Sequence, residues 1–373
     1  MEVDKDFVTR LPKAELHAHL TGSVGRQTLH DVWLQKRADG QCEDLEDPLI
    51  AINPGMDFVD VMSFFPLFDT YVYALLNDVA SIKYAAKRVI EEFAADGVVY
   101  LELRTTPREC IETGLTKDDY VQAVNSVIAE ANAASIKDGF RNIEVRLLLS
   151  IDRKMTAEQA MEVIDLASKY QFTPKTSSCG SQKTTSGQVV GVDLCGNPIR
   201  GDVALFTPAF RRAKDLNLSI TIHFAEVPQS GTIKELQVIL SWEPNRLGHV
   251  VHVPSEIKEV LKQRKIGLEL CLSCNVLARL TTGGYEMHHF REWSMTENPI
   301  ALSTDDVGIF GSPLSNEYLL AAHYFKLGSQ QLIDLSRSAA LATFAGKERL
   351  IRLIDQFQSK YNIETNGEIS GDK

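Results

Sequence analysis

Eight short apolar runs recur along the chain, and longer segments with the apolar spacing of amphipathic helices separate them. The runs read KAELHAHL, VVYLELRT, IEVRLLLSI, VVGVDLCG, SITIHFAE, RLGHVVHV, IGLELCLSC and PIALSTDD. Intervening segments such as SIKYAAKRVIEEFAADG end in glycine, as helices often do. Eight consecutive β/α units predict an α/β protein with a (β/α)8 TIM barrel.

Two stretches depart from a minimal barrel. Residues 36–69 form a long insertion after the first strand, at the end of the barrel where active sites lie, so we expect a lid-like insertion there. Residues 173–188 are rich in Ser, Thr and Gly, which predicts a mobile surface loop. We expect a single barrel domain over residues 1–362 and a disordered tail over residues 363–373.

Composition limits the possible partners of the chain. Of its 373 residues, 44% are hydrophobic, which is enough to build a sizeable core. A net charge of -11 argues against nucleic-acid binding and against an anionic membrane surface, because both require basic patches. The charged N-terminus MEVDKDFVTR carries no hydrophobic signal, and no apolar run approaches about 18 residues. We expect a cytoplasmic monomer that acts on a small molecule.

The six cysteines are predicted to be reduced thiols rather than a disulfide framework, since no secretion signal accompanies them. Cys271 and Cys274 form a C-x-x-C pair, but no second pair and no nearby pair of histidines completes a structural zinc site. The pair is therefore expected to have no metal-binding role.

The first strand carries two histidines two positions apart, His17 and His19, in the sequence ELHAHL. In an extended chain these side chains point the same way, so both imidazoles can converge on one point. The spacing alone fits two metal ligands or two ordinary buried histidines. Further ligands must come from other strands.

Reactive residue types collect at the ends of later predicted strands. They are His223 and Glu226 in TIHFAE, His249 in RLGH, and Asp305 and Asp306 in STDD. All strand C-termini of a barrel open onto one face, so these residues are predicted to meet the two N-terminal histidines. Three imidazoles and one carboxylate suit zinc, which lowers the pKa of a bound water to about 7.

The remaining polar residues are expected to differ in their roles. Asp305 and Asp306 are expected to point opposite ways on a strand, so that one binds metal and the other faces substrate. Histidines outside the set are expected to pack or cap rather than react: His30, His252, His288, His289 and His323.

Five motifs, ELHAHLTGS, VGVDLCG, TIHFAE, RLGH and STDD, resemble in their order the adenosine deaminase family of purine-processing metal hydrolases. The resemblance spans residues 11 to about 350. Three further stretches, LELCLSCNV, YEMHHFREW and TDDVGIFGSPLSNEY, are similar to the N6-methyl-AMP deaminase branch of that family. The resemblance implies hydrolysis of N6-methyl-AMP to IMP and methylamine. Adenosine or adenine deaminase is the alternative activity, and a catalytically silent purine-binding protein is a remote one.

The resemblance also implies a role for each site residue. One zinc per chain would be held by His17, His19, His223 and Asp305. Glu226 would be the proton donor to the purine ring, while His249 and Asp306 would orient the attacking hydroxide. The H-x-E and P-C-x-x-C signature of the cytidine-deaminase type is absent, so that unrelated zinc site is not expected.

Substrate contacts are implied at a second set of positions: His19, Thr21, Thr105, Thr106, Pro107, Arg108, Asp152, Gly196 and Asp306. Adenosine deaminases carry an acidic residue where this chain has Thr21. A carboxylate there would repel each unit of phosphate charge by roughly 4 kcal/mol at about 4 Å and an effective dielectric near 20, whereas a threonine hydroxyl can donate to the phosphate. The branch also has a substrate-contacting histidine in the lid, where this chain offers Val72 or Tyr73.

Overall fold

The structure is a computed structural model that describes residues 2–52, 66–137, 143–174 and 187–361. Part of the predicted lid, most of the predicted mobile loop and the predicted disordered tail lie outside the described residues.

Eight parallel strands form one sheet in which each strand pairs with the next in the chain. The strands are β1 (Lys13–His19), β2 (Val98–Thr105), β3 (Glu144–Asp152), β4 (Val189–Cys195), β5 (Ser219–Phe224), β6 (Arg246–His249), β7 (Gly267–Leu270) and β8 (Ile300–Leu302). The backbone of Asp305 closes the ring by pairing with β1: its N–H donates to the His17 carbonyl at 2.8 Å and its carbonyl accepts from the His19 N–H at 3.0 Å. The predicted (β/α)8 TIM barrel is confirmed.

Helices alternate with the strands and surround the barrel. They are α1 (Lys5–Arg10), α2 (Arg26–Ala38), α3 (Pro48–Ala51), α4 (Tyr73–Leu75), α5 (Val79–Ala95), α6 (Lys117–Lys137), α7 (Ala157–Lys169), α8 (Thr207–Asp215), α9 (Ile233–Leu240), α10 (Ser255–Arg264), α11 (Leu272–Leu277), α12 (Phe290–Trp293), α13 (Val307–Phe310), α14 (Leu314–Phe325), α15 (Ser329–Ala342) and α16 (Lys347–Lys360). Within the described ranges, none of the helices has both the length and the apolar character needed to cross a membrane.

Local sequence explains where the helices begin and which face they bury. At the start of α5 the Asp78 side chain accepts from the Ser81 N–H at 2.8 Å. At the start of α7 the Thr156 hydroxyl accepts from the Gln159 N–H at 3.3 Å, and the Gln159 side chain accepts from the Thr156 N–H at 2.9 Å. These capping boxes satisfy amide groups that a helix start leaves without partners. The apolar stripe of α5, which includes Ile82 and Val89, is buried against the core.

Charged side chains occupy the interior of the barrel beneath its C-terminal face. Arg104 on β2 donates to Glu269 on β7 at 2.6 Å, and Arg246 on β6 donates to Glu102 on β2 at 2.6 Å. All four side chains are almost completely buried. Such charges are tolerated because each one is paired. They form a network of buried ion pairs under the open end of the barrel.

The described parts of the insertion after β1 include the end of α2, the short helix α3 and a π-helical turn at Phe68–Val72. Pro66, Phe68, Asp69 and Thr70 border the cavity at the C-terminal face of the barrel. The insertion therefore contributes to the wall of the cavity, as expected of a lid.

Candidate active site

Three imidazoles and one carboxylate converge at the C-terminal ends of β1 and β5 and beyond the end of β8. His223 Nε2 lies 3.2 Å from His17 Nε2 and 3.0 Å from His19 Nε2. Asp305 Oδ1 lies 3.4 Å from His17 Nε2 and 3.3 Å from His19 Nε2. One ligand atom from each residue lies within 4.8 Å of all the others, so the chain brings together the four ligands proposed from its sequence.

The donor set fits a zinc ion. The Nδ1 atoms of His17 and His223 lie 2.6 Å and 3.1 Å from the carboxylates of Glu269 and Asp193, which hold the ring protons on that side. The Nε2 lone pairs then converge beside the Asp305 carboxylate, an arrangement that suits a cation. Two ligands of a tetrahedral zinc are expected to lie about 3.4 Å apart, close to the distances in this cluster.

The pKa values of the histidines follow from burial and from these carboxylates. Burial lowers the pKa of His223 to about 4 and also lowers the pKa of His19. For His17, burial and the Arg104 charge oppose protonation, but hydrogen bonds to Asp305 and Glu269 outweigh them and raise its pKa to about 9 in the chain alone. The cluster therefore attracts positive charge, for which a proton and a metal ion would compete.

Two glycines make room for the reactive side chains. A Cβ atom at Gly248 on β6 would lie 2.5 Å from Cε1 of His17, and a Cβ atom at Gly22 would overlap the carboxylate of Asp306. Ordinary contacts to a Cβ are longer than about 3.4 Å. Only glycine fits these two positions while the imidazole and the carboxylate keep their places.

The ends of the strands depart from extended geometry at the site. Ala225, His249 and Asp305 have φ values of 51°, 63° and 63°, in the left-handed region that costs energy for residues other than glycine. The expectation that Asp305 and Asp306 alternate on a strand is wrong, because β8 ends at Leu302. A left-handed turn, rather than strand alternation, directs both carboxylates towards the cavity.

Two further carboxyl groups in the cavity favour their protonated forms. Burial and the neighbouring Asp305 charge raise the pKa of Glu226 to about 8. Burial and the same Asp305 charge raise the pKa of Asp306 well above its usual range. Asp306 Oδ1 has no hydrogen-bond partner in the described part of the chain. Glu226 can therefore supply a proton at neutral pH. A cation bound beside Asp305 would offset the negative charge that raises the pKa of Asp306, and would so allow Asp306 to accept a proton.

His249 is the fourth imidazole at the site. Its ring is fully buried from bulk solvent, and burial lowers its pKa well below the usual value. Its Nε2 atom lies 3.8 Å from Asp305 Oδ2 and has no hydrogen-bond partner among the described residues. His252, which is half-buried, does not line the cavity in the described chain, in keeping with its expected lack of a catalytic role.

A cavity of about 450 Å³ extends from the metal cluster to solvent, a volume suited to a small ligand. The residues proposed from sequence that line it are His19, Thr21, Thr105, Thr106, Arg108, Asp152, Gly196, His223, Glu226, His249, Asp305 and Asp306. His17 lies beneath the wall and reaches the cluster through Nε2. Pro107 is buried and is the one proposed contact that does not line the described cavity.

The outer, more exposed part of the cavity wall carries three basic side chains, Arg108, Lys154 and Arg200, together with the acidic Asp69 and Asp152. The Arg108 guanidinium stacks on the ring of Tyr73, with Cζ 3.1 Å from the ring centroid. Tyr73 lines the cavity, whereas Val72 is buried in the core. Of the two residues considered for the lid contact, Tyr73 is therefore the one that faces the cavity. Lys154 and Arg200 also line the cavity, and sequence reasoning missed both.

Two residues predicted to contact the substrate, Gly196 and Asp152, approach each other closely on the cavity wall. Gly196 has φ 92°, and a Cβ atom there would lie 2.5 Å from Asp152 Oδ1. Asp152 also accepts from the Lys154 N–H at 2.9 Å. The Thr105 hydroxyl bonds to the Tyr120 hydroxyl at 2.6 Å, whereas the Thr106 hydroxyl lies 3.6 Å from the Cys195 sulfur, a weaker hydrogen-bonding partner.

Sequence reasoning also missed the carboxylates behind the ligands, Asp193 and Glu269. Arg104 links the two, with bonds of 3.1 Å to Asp193 and 2.6 Å to Glu269. A signal was present, because a charged residue stands inside each of the apolar runs VVYLELRT, VVGVDLCG and IGLELCLSC. A buried charge in a strand generally has a partner or a function.

Comparison with known proteins agrees with this geometry. The adenosine deaminase family model matches residues 12–360. The N6-mAMP deaminase of Arabidopsis thaliana is 35% identical over 359 residues, covering 92% of this chain and 95% of that protein. The N6-methyl-AMP deaminase of Homo sapiens is 35% identical over 348 residues, covering 91% and 90%. A solved Arabidopsis structure complexed with IMP superposes with a TM-score of 0.83 at 34% identity, covering 95% of this chain and 99% of that chain. The chain belongs to the adenosine deaminase family.

Proposed function

We propose that this chain is a zinc-dependent deaminase that hydrolyses N6-methyl-AMP to IMP and methylamine. The observation that carries the proposal is the composition of the cavity wall. It has a buried cluster of three imidazoles and one carboxylate, a carboxyl group that favours its protonated form, and cations at its more exposed, outer positions. A purine nucleotide presents a reactive ring carbon at one end and a phosphate at the other. The relatives named N6-methyl-AMP deaminase support the same substrate.

The cluster of His17, His19, His223 and Asp305 would hold one zinc ion. When bound, zinc would lower the pKa of the attacking water and so provide a nucleophile at neutral pH. Glu269 and Asp193 keep two of the imidazoles in the orientation that ligation needs.

Three residues of the chain would move or hold protons during the reaction. The positive charge of a bound zinc ion would favour the ionised form of Asp306. Asp306 then takes a proton from the attacking water as oxygen bonds to C6, and Glu226 gives its proton to ring nitrogen N1. His249 donates a hydrogen bond from Nε2 to the attacking oxygen. When the C6–N6 bond breaks, the proton on Asp306 passes to the leaving methylamine and the hydroxyl proton returns to Glu226. Both carboxyl groups thereby recover their initial states.

The outer end of the cavity would bind the phosphate. Arg108 can donate two charge-assisted hydrogen bonds to a phosphate, and Tyr73 holds its guanidinium in place. The hydroxyls of Thr21 and Thr106 are further donors, and Lys154 and Arg200 add positive charge at the rim. No carboxylate occupies position 21, so the phosphate meets no repulsion there.

The test offers the purified protein N6-methyl-AMP, AMP, adenosine and adenine side by side and identifies both products. We expect IMP and methylamine in equal amounts from N6-methyl-AMP, with Glu226→Gln as the inactive control. Preferred turnover of adenosine or adenine would contradict the nucleotide assignment. The absence of turnover with all four, in protein that contains zinc, would contradict the proposal that the chain is a deaminase of this class.

A further inference from the structure

A buried chain of hydrogen bonds runs from the backbone of α12 to the ring of His249. The Phe290 N–H donates to His288 Nδ1 at 3.0 Å, and His288 Nε2 lies 3.1 Å from Asn275 Oδ1. Asn275 Nδ2 in turn lies 3.0 Å from His249 Nδ1. The three side chains are at most 1% exposed, so water does not compete for these bonds.

The direction of every bond in this chain follows from its first member. A backbone amide can only donate, so Nδ1 of His288 is the acceptor and the ring proton lies on Nε2. Burial and the neighbouring His289 lower the pKa of His288 to about 2, so the ring carries only one proton at neutral pH. The Nε2–H group donates to Asn275 Oδ1, which turns the amide nitrogen of Asn275 towards His249.

We propose that Asn275 and His288 are positioning residues that keep the proton of His249 on Nε2, so that His249 acts as a hydrogen-bond donor into the cavity. The Asn275 amide donates to Nδ1, and a neutral imidazole that accepts at Nδ1 carries its proton on Nε2. That atom faces Asp305 and has no partner among the described residues. The inference rests on the proposed function, since it assigns the two residues a part in that reaction.

The opposite tautomer would disfavour the reaction. A lone pair on Nε2 of His249 would face the Asp305 carboxylate at 3.8 Å and would repel the oxygen of the attacking water instead of donating to it. His289 supports the same arrangement from the backbone, because its Nε2 lies 2.6 Å from the carbonyl oxygen of His249 and stabilises the left-handed φ of 63°. His288 and His289, expected from sequence to pack, thus both act on His249.

The direct test is ¹⁵N NMR of the full-length protein with labelled histidine rings. His249 is assigned by the signals missing from a His249→Asn variant. We expect one unprotonated nitrogen at Nδ1 and one protonated nitrogen at Nε2 in the wild type. A proton on Nδ1 would overturn the proposal. This measurement needs no turnover, so its failure is distinct from failure of the proposed deaminase function.

Nearly isosteric variants then test the consequence for catalysis. Asn275→Asp replaces the donor facing Nδ1 of His249 with an acceptor, which favours the tautomer with the proton on Nδ1. We therefore expect kcat to fall about 10²–10⁴-fold, while KM stays within about threefold of the wild-type value and the zinc content is unchanged. His288→Leu should lower kcat about tenfold or more, whereas His288→Gln, which keeps an N–H donor, should retain most of it. His323→Gln on the exposed face of α14 is the matched control. Unchanged kcat in folded Asn275→Asp with the proton of His249 on Nδ1 would overturn the proposed role.

Discussion

The inner and outer ends of the cavity are built in different ways. At the inner end, the proposed ligand His17 is fully buried and has the Glu269 carboxylate directly behind it. At the outer end, the Lys154 side chain is 62% exposed and pairs with Asp152 at 3.5 Å, and Arg108 rests on the ring of Tyr73 without a carboxylate partner among the described residues. A buried cluster with carboxylates behind its imidazoles is suited to fixed catalytic geometry, whereas exposed cations on loops are suited to binding charge.

This difference separates catalysis from selectivity. Changes at the inner end should lower kcat for nucleotide and nucleoside alike, because both present the same ring to the same groups. Changes at the outer end should alter the preference for the phosphate while sparing the reaction of the nucleoside. Each of the following predictions tests one side of that division.

The largest effect is expected from His223→Ala at the inner end. Loss of one of the three proposed imidazole ligands should remove most of the zinc. Loss of a proton donor typically lowers the rate about 10²–10⁴-fold, and we expect the loss of activity in His223→Ala to be larger than that. Metal analysis of the purified variant, with His252→Ala as a control, measures the first consequence. One tightly held zinc per chain together with intact turnover would show that the proposed ligand set is wrong.

Glu226→Gln should give the next largest effect. The amide keeps the shape of the side chain but cannot donate the carboxyl proton, so kcat should fall about 10²–10⁴-fold while zinc content stays normal. Steady-state kinetics and metal analysis on the same preparation separate the two effects. Near-normal turnover at saturating substrate would remove Glu226 from the mechanism.

The pH profile gives an intermediate effect. Because the pKa of Glu226 is raised to about 8, its proton is present below that pH and is lost as the pH rises through it. We therefore expect kcat/KM to fall about tenfold per unit above about pH 8. The residual activity of Glu226→Gln should lack this alkaline limb. If the variant retains the limb, another group is responsible for it.

Changes at the outer end should have smaller effects, confined to the nucleotide. Thr21→Asp adds a carboxylate near the phosphate, and even a repulsion of about 1.4 kcal/mol would reduce kcat/KM for N6-methyl-AMP tenfold. Thr21→Asn is the matched uncharged control. An equal loss for N6-methyladenosine would mean that Thr21 affects the ring rather than the phosphate.

The barrel and the convergence of the proposed ligands were predictable because they follow from local patterns. Each apolar run contains a strand, and β2 occupies the residues of VVYLELRT from Val98 to Thr105. In the runs of β6, β7 and β8 the strand covers only the first half or less, and the end of IGLELCLSC begins α11. Parallel strands of a barrel all end on one face, so His17, His223 and Asp305 could be placed together across nearly the whole sequence. Motif order then identified the family.

The supporting contacts were not predictable from such patterns. His17 pairs with Glu269, 252 positions away, and that contact depends on the closure of the barrel rather than on local spacing. The left-handed φ of Asp305 depends on its pairing with β1, which no propensity indicates. The link from His288 through Asn275 to His249 likewise requires the packing of α11 against the loop before α12.

The division between the two ends can be tested most directly by one ratio, kcat/KM for N6-methyl-AMP over kcat/KM for N6-methyladenosine. The proposed function predicts a wild-type ratio well above one and a fall of about tenfold or more in Arg108→Ala, which removes a charge-assisted hydrogen bond to the phosphate. The value for the nucleoside should hardly change in that variant. A wild-type ratio below one would contradict the nucleotide deaminase assignment and favour a nucleoside as the substrate.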